Sequence, residues 1–258
     1  MARITVSDIW TDGWALVQRH LPTVGPIAAA FLFLPQVLDA AIAGPPKSGE
    51  TALGWGGMIA ALVGIFGQLA IASILLGGPR APATVGGALS QSARLTPRFL
   101  MIFVLLIVAA IPVVLLAGAA LAALGVKPDP ASIRAGGSGV TFIVVALLAL
   151  GLYVGARLLP MMPTLIGEDA SPLATLKRSW SMTRGEGSRL TLFLLSFIAA
   201  ALFATIIAMV VGGAVIGLLL GSTDFSLLLQ ATVVGVIATV FGLGNLGASV
   251  VVYRRLAQ

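Results

Sequence analysis

Residues 99–126 read FLMIFVLLIVAAIPVVLLAGAALAALGV, with no charged side chain among them. A helix needs about 20 mostly apolar residues to cross the roughly 30 Å hydrocarbon core of a bilayer, and this run is long enough. Five further stretches match it on either side, so the expected spans are about 21–43, 55–78, 99–124, 138–160, 190–220 and 227–252. All are continuous apolar runs and not ten-residue segments of alternating hydrophobicity, which favours helices over a β-barrel. The expected fold is all-α: a polytopic membrane protein of six transmembrane helices, with one membrane domain over 1–258.

Composition agrees. Of the 258 residues, 59% are hydrophobic and 9% charged, against about 45–50% and 25% in a soluble domain. Too few polar groups exist to cover a water-facing surface, which excludes a soluble globular protein. Fifteen Lys and Arg against nine Asp and Glu leave a net charge of +6, which in a soluble chain would point to nucleic acid. Topology accounts for it instead. With loops on alternate sides, Arg3, Arg19, Arg80, Arg94, Arg98, Arg157, Lys177, Arg178, Arg184, Arg189, Arg254 and Arg255 share one side, and Lys47, Lys127 and Arg134 the other. The positive-inside rule then puts both termini in the cytoplasm and 44–56, 125–138 and 221–226 outside. No nucleic-acid partner is expected. Without cysteine, disulfides, thiolate metal sites and thiol catalysis are excluded.

Amphipathic segments precede the spans on the cytoplasmic side. In 7–20, Ser7 is placed to cap a helix whose Ile9, Trp10, Trp14, Leu16, Val17 and Leu21 share one sector, opposite Asp8, Asp12 and Arg19. This reads as an interfacial helix with its tryptophans at headgroup level. In 171–185, Ser-Pro starts a second interfacial helix with Leu173, Leu176 and Trp180 on one face, and Gly185 stops it. A weaker segment, 84–97, aligns with it, pairing Leu89 with Leu176, Ser92 with Ser179 and Thr96 with Thr183. A threefold repeat of interfacial helix plus two spans, beginning near 7, 84 and 171, is one reading of this order, and chance similarity is the other. Ala41, Ile42 and Ala43 resemble a signal-peptidase site, but the long acidic and tryptophan-bearing lead before the first apolar run is unlike a signal peptide. An uncleaved first span is expected.

The stretch RLLPMMPTLIGEDASPLATLKRSWSMTRG, 157–185, resembles the membrane domain associated with some bacterial glycerophosphoryl diester phosphodiesterases and related inner-membrane proteins. In those proteins a span ends in prolines, a Glu-containing turn follows, and an A-L-x-x-S-W-x-L-T-x-G helix leads into the next span. Pro160, Pro163, Glu168, Leu176, Ser179, Trp180, Thr183 and Gly185 stand at the matching places, while Thr175 and Met182 replace the usual Ala and Leu. The resemblance implies the bacterial inner membrane and the membrane module alone. The phosphodiesterase chemistry of that family belongs to a separate soluble barrel, to which nothing here corresponds.

Several residues are candidates for a site or a contact. GLGNLG at 242–247 matches a dinucleotide fingerprint in letters, but it lies inside an apolar span, where close helix packing is the better reading. Gly151 and Gly155, and Gly213, Gly217 and Gly221, form small faces suited to helix contacts within the chain or across a dimer seam. Polar groups in spans invite a functional reading: Gln36 and Asp39 near the outer end of the first, Gln68 in the second, Arg157 in the fourth and Asn245 in the sixth. Arg157 is expected to reach the headgroups or to pair with Glu168 or Asp169, after which Pro160 and Pro163 break the helix. Trp10, Trp14, Lys177, Arg178, Trp180 and Arg184 are candidate contacts to lipid, with anionic headgroups on the cytoplasmic side, or to a partner. His20 reads as a polar residue closing the first amphipathic helix.

No cofactor or metal is expected, and no catalytic constellation assembles: there is one His, no Cys and no span with paired acids. The expected function is a non-catalytic integral membrane protein, either an accessory or scaffold subunit or an envelope and lipid-homeostasis factor, with other subunits or a second copy as partners. The alternative is a small-molecule or lipid transporter or channel with its site between spans 1, 2, 4 and 6.

Overall fold

Where a helix begins, a hydroxyl side chain commonly takes up a free backbone N–H. In the computed structural model, which describes residues 5–43, 55–77, 84–126, 137–221 and 223–257, Thr5, Thr84, Ser171 and Thr223 do this. They accept from the nitrogens of Asp8 (3.2 Å), Gly87 (3.2 Å), Ala174 (3.4 Å) and Ser226 (3.2 Å). The first cap is thus Thr5 and not Ser7.

The helices they open, with those between, are α1 (Val6–Ala28), α2 (Leu34–Ala43), α3 (Trp55–Leu76), α4 (Val85–Ala123), α5 (Ser138–Arg157), α6 (Met161–Glu168), α7 (Pro172–Met182), α8 (Gly187–Ile207), α9 (Gly213–Leu220) and α10 (Asp224–Leu256). No strand occurs among the described residues. Six stretches are long and apolar enough to cross a membrane: Val6–Asp39, Gly57–Leu76, Val85–Ala123, Ser138–Glu168, Gly187–Leu219 and Phe225–Leu256. This is the make-up of an all-α, multi-pass membrane protein. The basic residues Arg3, Lys47, Arg80, Lys127 and Arg134 lie outside the described residues, as do most of the expected outer loops 44–56 and 125–138.

Two expected boundaries move. Segments 7–20 and 84–97 are not separate helices; each runs unbroken into its span, because no glycine or left-handed residue stops it. α1 continues through a π turn, Ala29–Phe33, into α2. The turn sits just ahead of Pro35, whose ring cannot share ordinary helical geometry with the carbonyl four residues earlier, and a widened turn relieves that conflict. A second π turn, Ala208–Gly212, joins α8 to α9. Only the third segment is an element of its own: α7 is followed by Gly185 at φ +92° before α8 starts. The expected repeat therefore has one free helix and two fused ones.

α1, α3 and α10 form the centre of the bundle. Glycines let them meet. A Cβ on Gly13 would lie 2.9 Å from the Ala248 nitrogen, and one on Gly247 would overlap the Gly13 carbonyl. A Cβ on Gly67 would overlap that of Phe31. Within GLGNLG, Gly247 is thus a helix-packing residue, as its setting in a span predicts. Around these crossings lie Leu16, Val24, Leu69, Leu75, Leu95 and Leu165 in one core cluster, and Ile9, Leu190, Phe193 and Val252 in another. Both clusters sit towards the end that carries the two termini, the near end.

The other end, the far end, is open. On α4 residues 107–112 are all exposed, and on α5 residues 144–151 are, each run exceeding the 3.6 residues of a helical turn. Phe142 is 74% exposed, Leu116 71% and Leu218 86%.

Candidate functional site

All the ion pairs among the described residues lie at the near end. Arg254 donates through Nη2 to the carbonyls of Leu75 (2.8 Å) and Leu76 (2.6 Å), closing the C-terminus of α3 where Gly77 turns the chain at φ +56°. Helix-end carbonyls lack partners within the helix, and a cation is favoured there. Arg255 reaches the other way, to Asp8 (3.1 Å) and Asp12 on α1. The last turn of α10 thereby ties together the first turns of α1 and the last of α3.

A second tie is built on α6. The helix of the fourth span breaks before Pro160, at Arg157, as expected, but the chain does not leave the bundle there. Residues 161–166 of α6 are all buried, and Pro163 stands in the first turn, where a missing N–H costs nothing. Asp169, in left-handed conformation at φ 48°, then points its carboxylate at Arg98 (2.5 Å) and Arg94 (3.7 Å) on α4. Glu168 pairs with Arg178 of α7 at 3.1 Å.

With both acids taken, the expected pairing of Arg157 is overturned. Its Nε and Nη2 donate to the Tyr153 hydroxyl at 3.1 and 2.7 Å, and its guanidinium lies 5.2 Å from the Tyr153 ring and 5.3 Å from that of Trp180. A Cβ on Gly187 would come within 3.0 Å of Arg157 Nε, so the guanidinium also rests on the start of α8. Nη1 is buried without a hydrogen-bond partner among the described residues. The carbonyl of Arg157 accepts from Ser179 (3.0 Å) and Thr183 (3.4 Å). These hydroxyls belong to a series spaced by four, Ser171, Thr175, Ser179 and Thr183, of which the last three are buried. α7 therefore turns small polar residues inward and leaves Leu173 and Trp180 outside, a face that hydropathy singles out while passing over the hydroxyl series. Lys177 and Arg184 are exposed and make no ion pair among the described residues, whereas Arg178 and Arg189 are paired, the latter with Glu186 at 2.7 Å. His20 donates through Nδ1 to the Leu16 carbonyl at 3.0 Å.

Two clefts flank the near-end half of α1. One, of about 290 Å³, has Asp12, Arg19, Arg254 and Arg255 on its walls. The other, about 380 Å³, lies between α1, α8 and α10 and is lined chiefly by Trp10, Trp14, Phe193, Phe197, Phe241 and Gly244. The tilted and edge-on contacts of Trp10 with Phe197 (5.2 Å) and Phe193 (5.9 Å), and of Phe197 with Phe241 (5.5 Å), fix its walls. Sequence reasoning names Trp10 and Trp14 but misses their partners, because phenylalanines in a span carry no mark of what faces them.

The expected intramembrane polar set is dispersed. Gln36, Asp39, Gln68, Arg157 and Asn245 line neither cleft. Spans 1 and 2 do adjoin, yet they run antiparallel and Gly67 faces Phe31, which sets Gln68 roughly six residues, about 9 Å along the helix, from the level of Gln36. Gln36 is exposed, and Asn245 keeps a buried, unpartnered Oδ1. The expected glycine faces divide in the same way. A Cβ on Gly155 would lie 3.4 Å from Leu194 and one on Gly213 3.1 Å from Gln230, but one on Gly151, Gly217 or Gly221 would have nothing within 4 Å among the described residues, and Gly221, at φ +68°, ends α9. Those three make no helix contact among the described residues. Compared with protein-family models, curated proteins and solved structures, the chain matches none.

Proposed function

We propose that this chain is a non-catalytic, multi-pass protein of the bacterial inner membrane with both termini in the cytoplasm, acting as an accessory or scaffold subunit of a membrane complex or as an envelope and lipid-homeostasis factor. The observation that carries the reading is the far half of α4 and α5. A lipid-facing helix in a closed bundle hides one side, whereas residues 107–112 and 144–151 hide none. Membrane helices associate by close packing at small residues, and Gly118, Gly151 and Gly217 have no neighbour within reach of a Cβ among the described residues, leaving room for another helix. The near end supplies the rigid base from which these arms extend.

The near end also supports the cytoplasmic assignment. α7 presents Leu173 and Trp180 outward beside Lys177 and Arg184, the arrangement of a helix lying at a membrane surface. Each such cation adds about 1 kcal/mol of attraction to anionic headgroups close to the surface. The prolines, Glu-containing turn and Ser-Trp helix of 157–185 support kinship with the phosphodiesterase-associated membrane domain.

Purification of the full chain in mild detergent, followed by intact-mass measurement of the particle, tests the role. The expected result is a stoichiometric protein partner, another subunit or a second copy, added to the 26.2 kDa chain. A monomer that retains a water-soluble solute would overturn it in favour of transport. Reporter fusions at residues 50, 130 and 223 are expected to read as external, and a cytoplasmic signal at any of them contradicts the topology.

A further inference from the structure

We infer that the aromatic cleft between α1, α8 and α10 holds one hydrocarbon chain of a membrane phospholipid. This requires only that the chain be embedded in a bilayer and does not depend on the scaffold role. The cleft's volume of about 380 Å³ falls in the range of ligand pockets, about 300–1,000 Å³. Its walls are apolar except for two indole N–H groups and one hydroxyl. Thr11 brings the one hydroxyl on the wall, and that hydroxyl already donates to the Ser7 carbonyl at 3.0 Å. A cavity of this kind stays dry and takes up hydrocarbon. An irregular peptide would bring N–H and C=O groups that find no partners there.

The space is held open by a missing side chain. A Cβ on Gly244 would lie 3.5 Å from Phe197 Cε2 and 3.8 Å from Trp14 Cε3, ordinary contact distances, so the floor can be filled without displacing the walls. Polar complementarity points to the same ligand. The indole N–H groups of Trp10 and Trp14 have no hydrogen-bond partner among the described residues. They are donors only, matched to the ester and phosphate oxygens of a lipid, which only accept. Hydrocarbon in the cleft and acceptor oxygens beside it are supplied together by a phospholipid, the acyl lipid that surrounds the chain in a bilayer, and not by a polar solute.

The full chain, reconstituted in phosphatidylcholine and phosphatidylglycerol vesicles carrying a photoreactive diazirine on one acyl chain, is irradiated, and the adducts are located by peptide mass spectrometry. Adducts are expected to concentrate in 9–14 and 240–248, above their density in the exposed stretch 142–150. Gly244→Ala is expected to lower the cleft adducts about fourfold, the equivalent of one displaced methylene, and Gly244→Leu by about tenfold or more, with 142–150 unchanged. Gly244→Ala adds a good helix former at ordinary contact distances and carries the test if the larger variant does not fold. Cleft adducts no denser than those at 142–150, or unchanged in Gly244→Ala, would overturn the inference.

Discussion

At the near end, α1 and α10 cross so closely that a side chain on Gly247 would overlap the Gly13 backbone; at the far end, α4 and α5 run for more than a turn with every side exposed. Both regions are built from the same apolar alphabet. Hydrophobicity alone therefore does not decide which helices lock, since lipid is as apolar as leucine. The near end locks because small residues oppose one another and because its polar groups find specific partners: Arg254 on two helix-end carbonyls, Asp169 on two arginines, Ser179 on the Arg157 carbonyl. The far half has glycines too, but at Gly118, Gly151 and Gly217 none of the described residues stands opposite them.

The largest expected effect comes from the crossing itself. Gly247→Val should cost more than about 3 kcal/mol, beyond ordinary overpacking, and abolish the monodisperse peak in size-exclusion chromatography. Gly217→Val, in open space, should change the stability of the isolated chain by no more than about 0.5 kcal/mol. Equal behaviour of the two would break the comparison. Next, Phe193→Ala empties a fully buried site and should cost about 3–5 kcal/mol, while Phe142→Ala should fall within about 0.5 kcal/mol; unfolding in mixed micelles reads both. Smaller again, Arg254→Ala should cost about 1 kcal/mol by freeing the α3 carbonyls. Arg184→Ala, at an exposed residue without an ion pair, should leave the melting temperature unchanged, and a matching loss there would remove the polar half of the contrast.

The spans are legible in sequence because hydropathy is a property of short windows, and the break after Arg157 because Pro160 imposes it locally. GLGNLG is legible as packing for the same reason: a glycine inside an apolar run has no other obvious use. Partnerships are not legible. Gly151 and Gly217 offer the same spacing as a real contact face, but spacing says what a helix presents and not what lies across from it. Arg157 is expected to reach the headgroups or to pair with Glu168 or Asp169, which are near in sequence. The left-handed Asp169 instead swings its carboxylate to α4, and Arg157 settles between Tyr153 and Trp180. The aromatic cleft joins residues as far apart in sequence as Trp10, Phe197 and Phe241, so only the fold assembles it.

The contrast between the two ends is tested most directly by site-specific photocrosslinking in intact membranes, with the probe at Leu116 in the far half and at Leu173 at the near end. Both positions are exposed, at 71% and 53%. The account predicts a discrete protein adduct of single size from Leu116 and lipid adducts alone from Leu173. Lipid adducts alone from both positions would contradict it.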